Sequence, residues 1–362
     1  MKSAEWVLFV GWIGVIPAIA LDQNSNQQSD VWEALHQAQS LLAGGDMDAD
    51  GWTNEMESSA GTDPFDGDSF PETGIRMQAG LPIISWQGFS GKSYFLLESG
   101  DLESFAPHGD AIEATGGPME IQLPPPNGTA FFRMQINDRD SDGDGLNDWE
   151  ELTVGLDPKI TRTERYAQTD SQIVASGLAA QSSIAVSVYD DVCSERWPDP
   201  AVLVMRRGGG MKPLTVNFSL SGTAVRNADY QTSISGNTAS FGIGQREVFL
   251  EIIPVADAED GESQENIVLT ALSGSGYSVG TASSASATIL NETASSNPSA
   301  KAAARFLVQA AFGPDQDAAA DADQTPENVE EVMALGFEEW IDDQLTRPVG
   351  TLRPMVKWQK EQ

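Results

Sequence analysis

The apolar positions change period several times along the chain, and each change marks a different element. Between residues 30 and 43, Val31, Ala34, Leu35, Ala38, Leu41 and Leu42 recur at helical spacing. Ser29 or Asp30 can cap that segment and Gly44-Gly45 stops it, so a helix is predicted over 30–43. Past residue 74 the period shortens. Ile83-Ile84-Ser85-Trp86 and Ser93-Tyr94-Phe95-Leu96-Leu97 read as strands, and Gly88-Phe89-Ser90-Gly91-Lys92 between them is a hairpin signal. Glu120-Ile121-Gln122-Leu123 alternates, Pro124-Pro125-Pro126-Asn127-Gly128 turns the chain, and a further strand is predicted over 131–136. Residues 74–137 are therefore expected to form a small β-sandwich.

A second β region spans 180–293. Its strand-like runs are 184–189, 202–206, 214–220, 248–253, 267–272 and 285–290, separated by Gly, Ser and Asn at the spacing of an all-β sandwich. Residues 294–299 are a Ser/Asn/Pro linker. From 300 to 362 the pattern turns helical, with an amphipathic run stopped by Gly313-Pro314 and a second starting at Thr325-Pro326-Glu327. The predicted fold class is mainly β and multi-domain, with a short helical tail.

The first twenty residues differ from the rest. Lys2 precedes an apolar run from Trp6 that closes on Ala18-Ile19-Ala20, small residues at both cleavage-defining positions. This predicts a secretory signal over 1–20, cut before Leu21. The run is too short for a membrane span and contains Pro17, so no transmembrane segment is expected after cleavage. The expected location is the medium, the cell surface or the periplasm.

Charge narrows the partners. Acids number 54 against 20 bases, a net charge of −34, which repels nucleic acid and anionic lipid and attracts cations. Cys193 is the single cysteine, so no intrachain disulfide can form. His36 and His108 are the only histidines and read as ordinary surface residues, which leaves no material for Cys/His zinc sites. No stretch carries a nucleophile elbow, phosphate loop or catalytic metal motif, and no catalytic activity is expected of this chain.

The acids cluster at ligand spacing. A calcium loop needs carboxylates at positions one, three and five, Gly at six, a backbone carbonyl at seven and a bidentate Glu at twelve. Residues 46–57 supply Asp46, Asp48, Asp50, Gly51, Trp52 and Glu57, with Asn54 at position nine. Residues 140–151 supply Asp140, Asp142, Asp144, Gly145, Leu146 and Glu151, with Asp148 at position nine. Calcium fits better than magnesium, because a flexible loop with a bidentate Glu suits the larger ion. The plain alternative for one such loop is an acidic solvated turn. Two full matches, each followed by Gly-x-Asp-Pro (Gly61-Thr62-Asp63-Pro64 and Gly155-Leu156-Asp157-Pro158), favour ligation. Asp63, Asp66 and Asp68 are further candidates at the first loop.

Three stretches of the chain resemble known families. The Asp-rich loops with their Gly-x-Asp-Pro endings resemble bacterial thrombospondin type 3 repeats, which implies calcium-set spacers, one on each side of the small β module. Residues 180–293 resemble the Calx-beta family through Arg206-Arg207-Gly208-Gly209, Val216-Asn217-Phe218, Gly222-Thr223-Ala224, Asp229-Tyr230, Ile252-Ile253-Pro254-Val255 and Ala287-Thr288-Ile289-Leu290. That resemblance implies an immunoglobulin-like sandwich. By position it implies rim ligands Glu195, Asp229, Asp257 and Glu262, weakened where Ala256 and Asn291 replace acids. Asn227 stands where that family has Gly, a substitution a left-handed turn tolerates. Arg305-Phe306-Leu307, Phe312-Gly313-Pro314, Leu335-Gly336-Phe337, Trp340-Ile341 and Gln344-Leu345 resemble the start of the family called domain of unknown function 1800, so the chain reads as ending inside that domain. The expected function is calcium-stiffened adhesion or interaction outside the cell, with protein or polysaccharide partners. The alternative is the accessory part of a larger exported enzyme.

Overall fold

The computed structural model describes residues 10–12, 20–124, 130–163, 167–195, 200–255, 264–290, 298, 300–310 and 327–346. Val10–Trp12 forms a short strand, β1. Helix α1 (Asp30–His36) is shorter than the predicted span of 30–43. Gln37 turns left-handed (φ 58°), and the Gln39 side-chain amide donates to the Glu33 carbonyl at 2.8 Å, which ends the helix. Helix α2 (Asn54–Ala60) follows the first acidic loop.

The small β module has two sheets. One holds β2 (Thr73–Gln78), β3 (Leu81–Gly88) and β7 (Gly117–Gln122). The other is built on β4 (Lys92–Ser99) and β8 (Phe131–Asp138), with β5 (Ala106–Pro107) and β6 (Ile112–Glu113) on β4 and β1 parallel to β8. Ile84, Trp86, Tyr94, Leu96, Phe132 and Met134 fill the space between them. The turn at 88–92 is not the expected hairpin, since β3 and β4 lie in different sheets. The Tyr94 hydroxyl fixes this corner, accepting the Phe89 N–H at 3.1 Å and donating to the Gln87 carbonyl at 3.4 Å. The hairpin is instead β2–β3, closed by Ala79 (φ 50°) and Gly80 (φ 82°), two left-handed residues in succession.

Helices α3 (Asp148–Val154) and α4 (Asp170–Ala179) lead into the large sandwich. Its strands are β9 (Ser182–Asp190), β10 (Val192–Ser194), β11 (Ala201–Gly209), β12 (Leu214–Gly222), β13 (Tyr230–Thr232), β14 (Thr238–Phe241), β15 (Glu247–Pro254), β16 (Glu265–Ala271), β17 (Tyr277–Val279) and β18 (Ser284–Leu290). They form two five-stranded sheets, β13-β15-β11-β9-β17 and β10-β18-β16-β12-β14. The chain changes sheets at Asp191, so that β9 pairs with β11 while β10 pairs with β18. Alternating residues such as Leu203, Met205, Val216, Phe218, Leu250, Ile252, Ile267 and Leu269 point between the sheets and are buried. Cys193 is one of this core, 1% exposed. Asn227 takes the left-handed conformation (φ 68°) its position demanded.

The tail contributes α5 (Ala300–Ala310), α6 (Glu327–Leu335) and α7 (Phe337–Thr346), packed through Ala303, Leu307, Val332 and Trp340. Arg305 ties α5 to the sandwich by pairing with Asp190 and donating to the Val192 carbonyl. Among the described residues, no helix is long and apolar enough to cross a membrane.

Candidate metal centre

Both acidic loops fold by the same local bonds. In the first, Asp46 accepts the Ala49 and Gly51 N–H groups at 2.8 and 3.0 Å, Asp48 accepts Asp50 N–H at 3.2 Å, and Asp50 accepts Trp52 N–H at 2.6 Å. In the second, Asp140 accepts Gly143 and Gly145 at 2.7 and 3.0 Å, Asp142 accepts Asp144 at 3.1 Å, and Asp144 accepts Leu146 at 2.9 Å. Gly51 (φ 100°) and Gly145 (φ 94°) supply the sharp turn at position six. The result gathers one ligand oxygen each from Asp46, Asp48 and Asp50 within 4.8 Å of one another, and likewise from Asp140, Asp142 and Asp144.

The exit helices bring in the twelfth position. Thr53 caps α2 and Asn147 caps α3, and the helices end on left-handed Gly61 and Gly155 of the Gly-x-Asp-Pro pieces. Glu57 and Glu151 are each 0% exposed. Oε2 of Glu57, both carboxylate oxygens of Glu151, and Oδ2 of Asp48, Asp50 and Asp142 are buried without a hydrogen-bond partner. Burial first, then Asp48 and Asp50, push the Glu57 carboxyl up to about 8. Burial, then Asp142 and Asp144, push Glu151 up to about 9. Orphaned, buried carboxylate oxygens facing other carboxylates are costly unless a cation joins them. The hard oxygen donor set fits calcium.

The remaining predicted ligands fall elsewhere or into different roles. Trp52 and Leu146 stand at position seven, where the backbone carbonyl is the donor, and Leu146 is fully buried. Asn54 donates its side-chain amide to the Leu42 carbonyl at 2.7 Å, and its Oδ1 is buried without a hydrogen-bond partner, as a ligand at position nine would be. Asp148 has both oxygens engaged, by the Ser141 N–H and hydroxyl at 2.8 and 2.7 Å and by Arg139 Nε at 2.7 Å. Asp63 closes its own turn through the Phe65 N–H and lies 3.4 Å from His36, while Gly67 lies against Asp48 and Asp50. His36 and His108 are not plain surface groups, since both are partly buried and His108 Nδ1 is 2.7 Å from Glu98. On the sandwich, Asp229 accepts Val225 N–H at 2.6 Å and so closes a turn, and Glu195 is buried at the end of β10. Asp257 and Glu262 lie outside the described residues.

Two features escaped the sequence. Helix α4 packs over the second loop, where Ser171 N–H donates to Asp144 Oδ2 at 2.9 Å, and the fully buried Asp170 accepts the Thr163 N–H with both oxygens. The capping box Thr169-x-x-Gln172 was its signal. The loops are also not the separate joints expected from the module between them. One apolar cluster holds Val31, Trp32 and Ala34 of α1 with Leu146, Trp149, Val154, Leu156, Val174 and Met211. Trp32 Nε1 donates to the Thr62 carbonyl at 2.7 Å, and Gly61 packs against the Trp149 indole. Ser29 joins three helices: it caps α1, its N–H donates to Ser58 of α2 at 2.8 Å, and its hydroxyl donates to Glu150 of α3 at 2.5 Å.

No family model and no curated protein matches the chain. Solved structures similar to it include the apo form of the Calx CBD1 domain, at 17% identity and TM-score 0.27, covering 31% of this chain and 99% of that one. The Calx CBD2 domain is similar at 14% identity and TM-score 0.25, covering 31% of this chain and 88% of that one. The calcium binding domain CBD12 of CALX1.1 is similar at 8% identity and TM-score 0.21, covering 59% of this chain and 94% of that one.

Proposed function

We propose that this chain is an exported calcium-binding protein in which two bound ions lock a shared helical hub between two β modules, holding those modules as an extracellular interaction surface. The observation that carries the reading is the pair of fully buried carboxylates, Glu57 and Glu151, which have unpartnered oxygens and lie near enough to the Asp triad of each loop for its charges to push their carboxyls up. Calcium would be held by Asp46, Asp48, Asp50 and Glu57 at one centre and by Asp140, Asp142, Asp144 and Glu151 at the other. It supplies positive charge where the chain has brought together only negative charge, so binding and ordering of the hub are one event.

The second centre has the wider reach. Its exit helix α3 meets the large sandwich where Gly244 (φ 71°) approaches the Val154 carbonyl so closely that a Cβ would stand 2.3 Å from the oxygen. Thus the ion at 140–151 orders the contact between hub and sandwich. Isothermal titration of calcium tests this. The parent should bind two hub ions, Glu57→Gln and Glu151→Gln should each remove one, and unchanged stoichiometry in the double variant would place the ligands elsewhere.

A further inference from the structure

The carboxylate of Glu150, next to the second candidate ligand Glu151, is 0% exposed. Three groups donate to it: the Leu21 backbone nitrogen at 3.1 Å from Oε1 and 3.2 Å from Oε2, the Ser29 hydroxyl at 2.5 Å, and the Asn147 N–H at 3.0 Å. All three are neutral in the uncut chain. The nearby Lys92 ammonium is paired with Asp138, both of them buried, and among the described residues no ion pair to Glu150 forms. A buried carboxylate served by neutral donors alone lacks its strongest partner.

Leu21 is also the residue that would follow the predicted leader. It is held on three sides. Its nitrogen meets both oxygens of Glu150, its carbonyl accepts the Asp30 N–H at 2.7 Å, and its side chain packs on the hub core. Ala20, just before it, lines a cavity of about 230 Å³ together with Ser29, Ser58, Asp138 and Asn147.

We propose that the bond between Ala20 and Leu21 is a processing site, and that the amino group it releases docks on Glu150 as a buried ion pair that completes the calcium hub. The inference rests on the export reading above. A leader peptidase adds water across the Ala20–Leu21 amide. The Ala20 carbonyl carbon takes the hydroxyl, the Leu21 nitrogen takes the hydrogen, and a further proton from solvent makes it an ammonium. The docked nitrogen then carries the positive charge that the three neutral donors lack. Protons not used by Glu150 face the cavity that Ala20 has left. The position is specific: a start one residue earlier or later moves the charge by about 3.8 Å along the chain, out of contact with both oxygens.

The test compares the full chain started at Leu21, through a removable N-terminal fusion, with one that retains Ala20 and one acetylated on the Leu21 nitrogen. Each is made in the parent and in Glu150→Gln, which keeps the capping box but not the charge. In the parent, retaining Ala20 or acetylating should lower the calcium-loaded melting temperature by about 5 °C or more. In Glu150→Gln the same changes should have no effect. By NMR, the Leu21 α-amino group should titrate at least about one unit above its ordinary value near 8 in the parent, and near that value in the variant. If Glu150→Gln does not fold, the parent-background comparisons and the titration still decide. Equal stability of all three starts together with an ordinary α-amino titration would overturn the docking. The export reading is checked separately by the intact mass of the protein recovered outside the cell. A start other than Leu21 would overturn the processing site, whatever the engineered chain does.

Discussion

Replacing Ser29 by Ala removes one oxygen from the point where three helices meet. The Ser29 hydroxyl accepts the Trp32 N–H at 3.2 Å as the α1 cap and donates to Glu150 at 2.5 Å. Its backbone N–H, which donates to Ser58, is unaffected by the change. Loss of the cap costs about 1 kcal/mol. Loss of a bond to a buried carboxylate costs about 1.5–3 kcal/mol, because Ser29 is 4% exposed and little water can replace it. The terms share one oxygen, so a total of about 3 kcal/mol is expected, or a fall of about 6–12 °C in the melting temperature of the hub. Calorimetry of the full chain at saturating calcium reads this directly. Because the lost hydroxyl bonds Glu150 of α3 while the backbone contact to Ser58 of α2 is kept, the calcium affinity of the second loop should fall more than that of the first. A loss below about 0.5 kcal/mol, the scale of an ordinary surface change, would refute the hub as described.

Other outcomes follow from the same contacts. Gly244→Ala forces a Cβ onto the Val154 carbonyl at a left-handed backbone, so hub and sandwich should separate into two calorimetric transitions where the parent shows one. Asp148→Asn should cost about 2–3 kcal/mol through the lost Arg139 pairing, yet leave calcium stoichiometry at the parent value in titration. Arg305→Ala releases α5 from Asp190 and Val192, and hydrogen exchange across α5 should quicken about fivefold or more with the β-strand amides unchanged. A chelator should collapse the near-ultraviolet signal of the hub tryptophans Trp32 and Trp149 before the sandwich unfolds.

The parts legible in the sequence were those written at short range. The loop spacing, the Gly-x-Asp-Pro ends and the alternating strands of the large sandwich depend on residues a few positions apart. Asn227 is one such position, where a local turn alone fixes the backbone. The corner at 88–92 was misread because a Gly-rich turn does not say which sheet receives the next strand. Tyr94 and the approach of Gly91 to the Trp149 backbone decide that. Helix α1 was read too long because its apolar face continues beyond Gln37 to buried Ala38, while the side-chain amide of Gln39 ends the helix. The hub itself could not be read in one dimension. Ser29 and Glu150 are 121 residues apart, and an entire β module lies between them. Asp148 looked like a ligand by its position in the loop, although Arg139 and Ser141, nine and seven residues before it, occupy its carboxylate.

Under the proposed function, the unpartnered oxygens of Glu57 and Glu151 take calcium as their partner. The most direct measurement is anomalous diffraction from crystals grown with calcium. Two anomalous peaks are expected in the hub, each about 2.3–2.6 Å from carboxylate oxygens of Glu57 or Glu151 and of the Asp triad in the same loop. Peaks confined to other acidic surfaces, with Glu57 and Glu151 bonded only to protein groups or water, would contradict it.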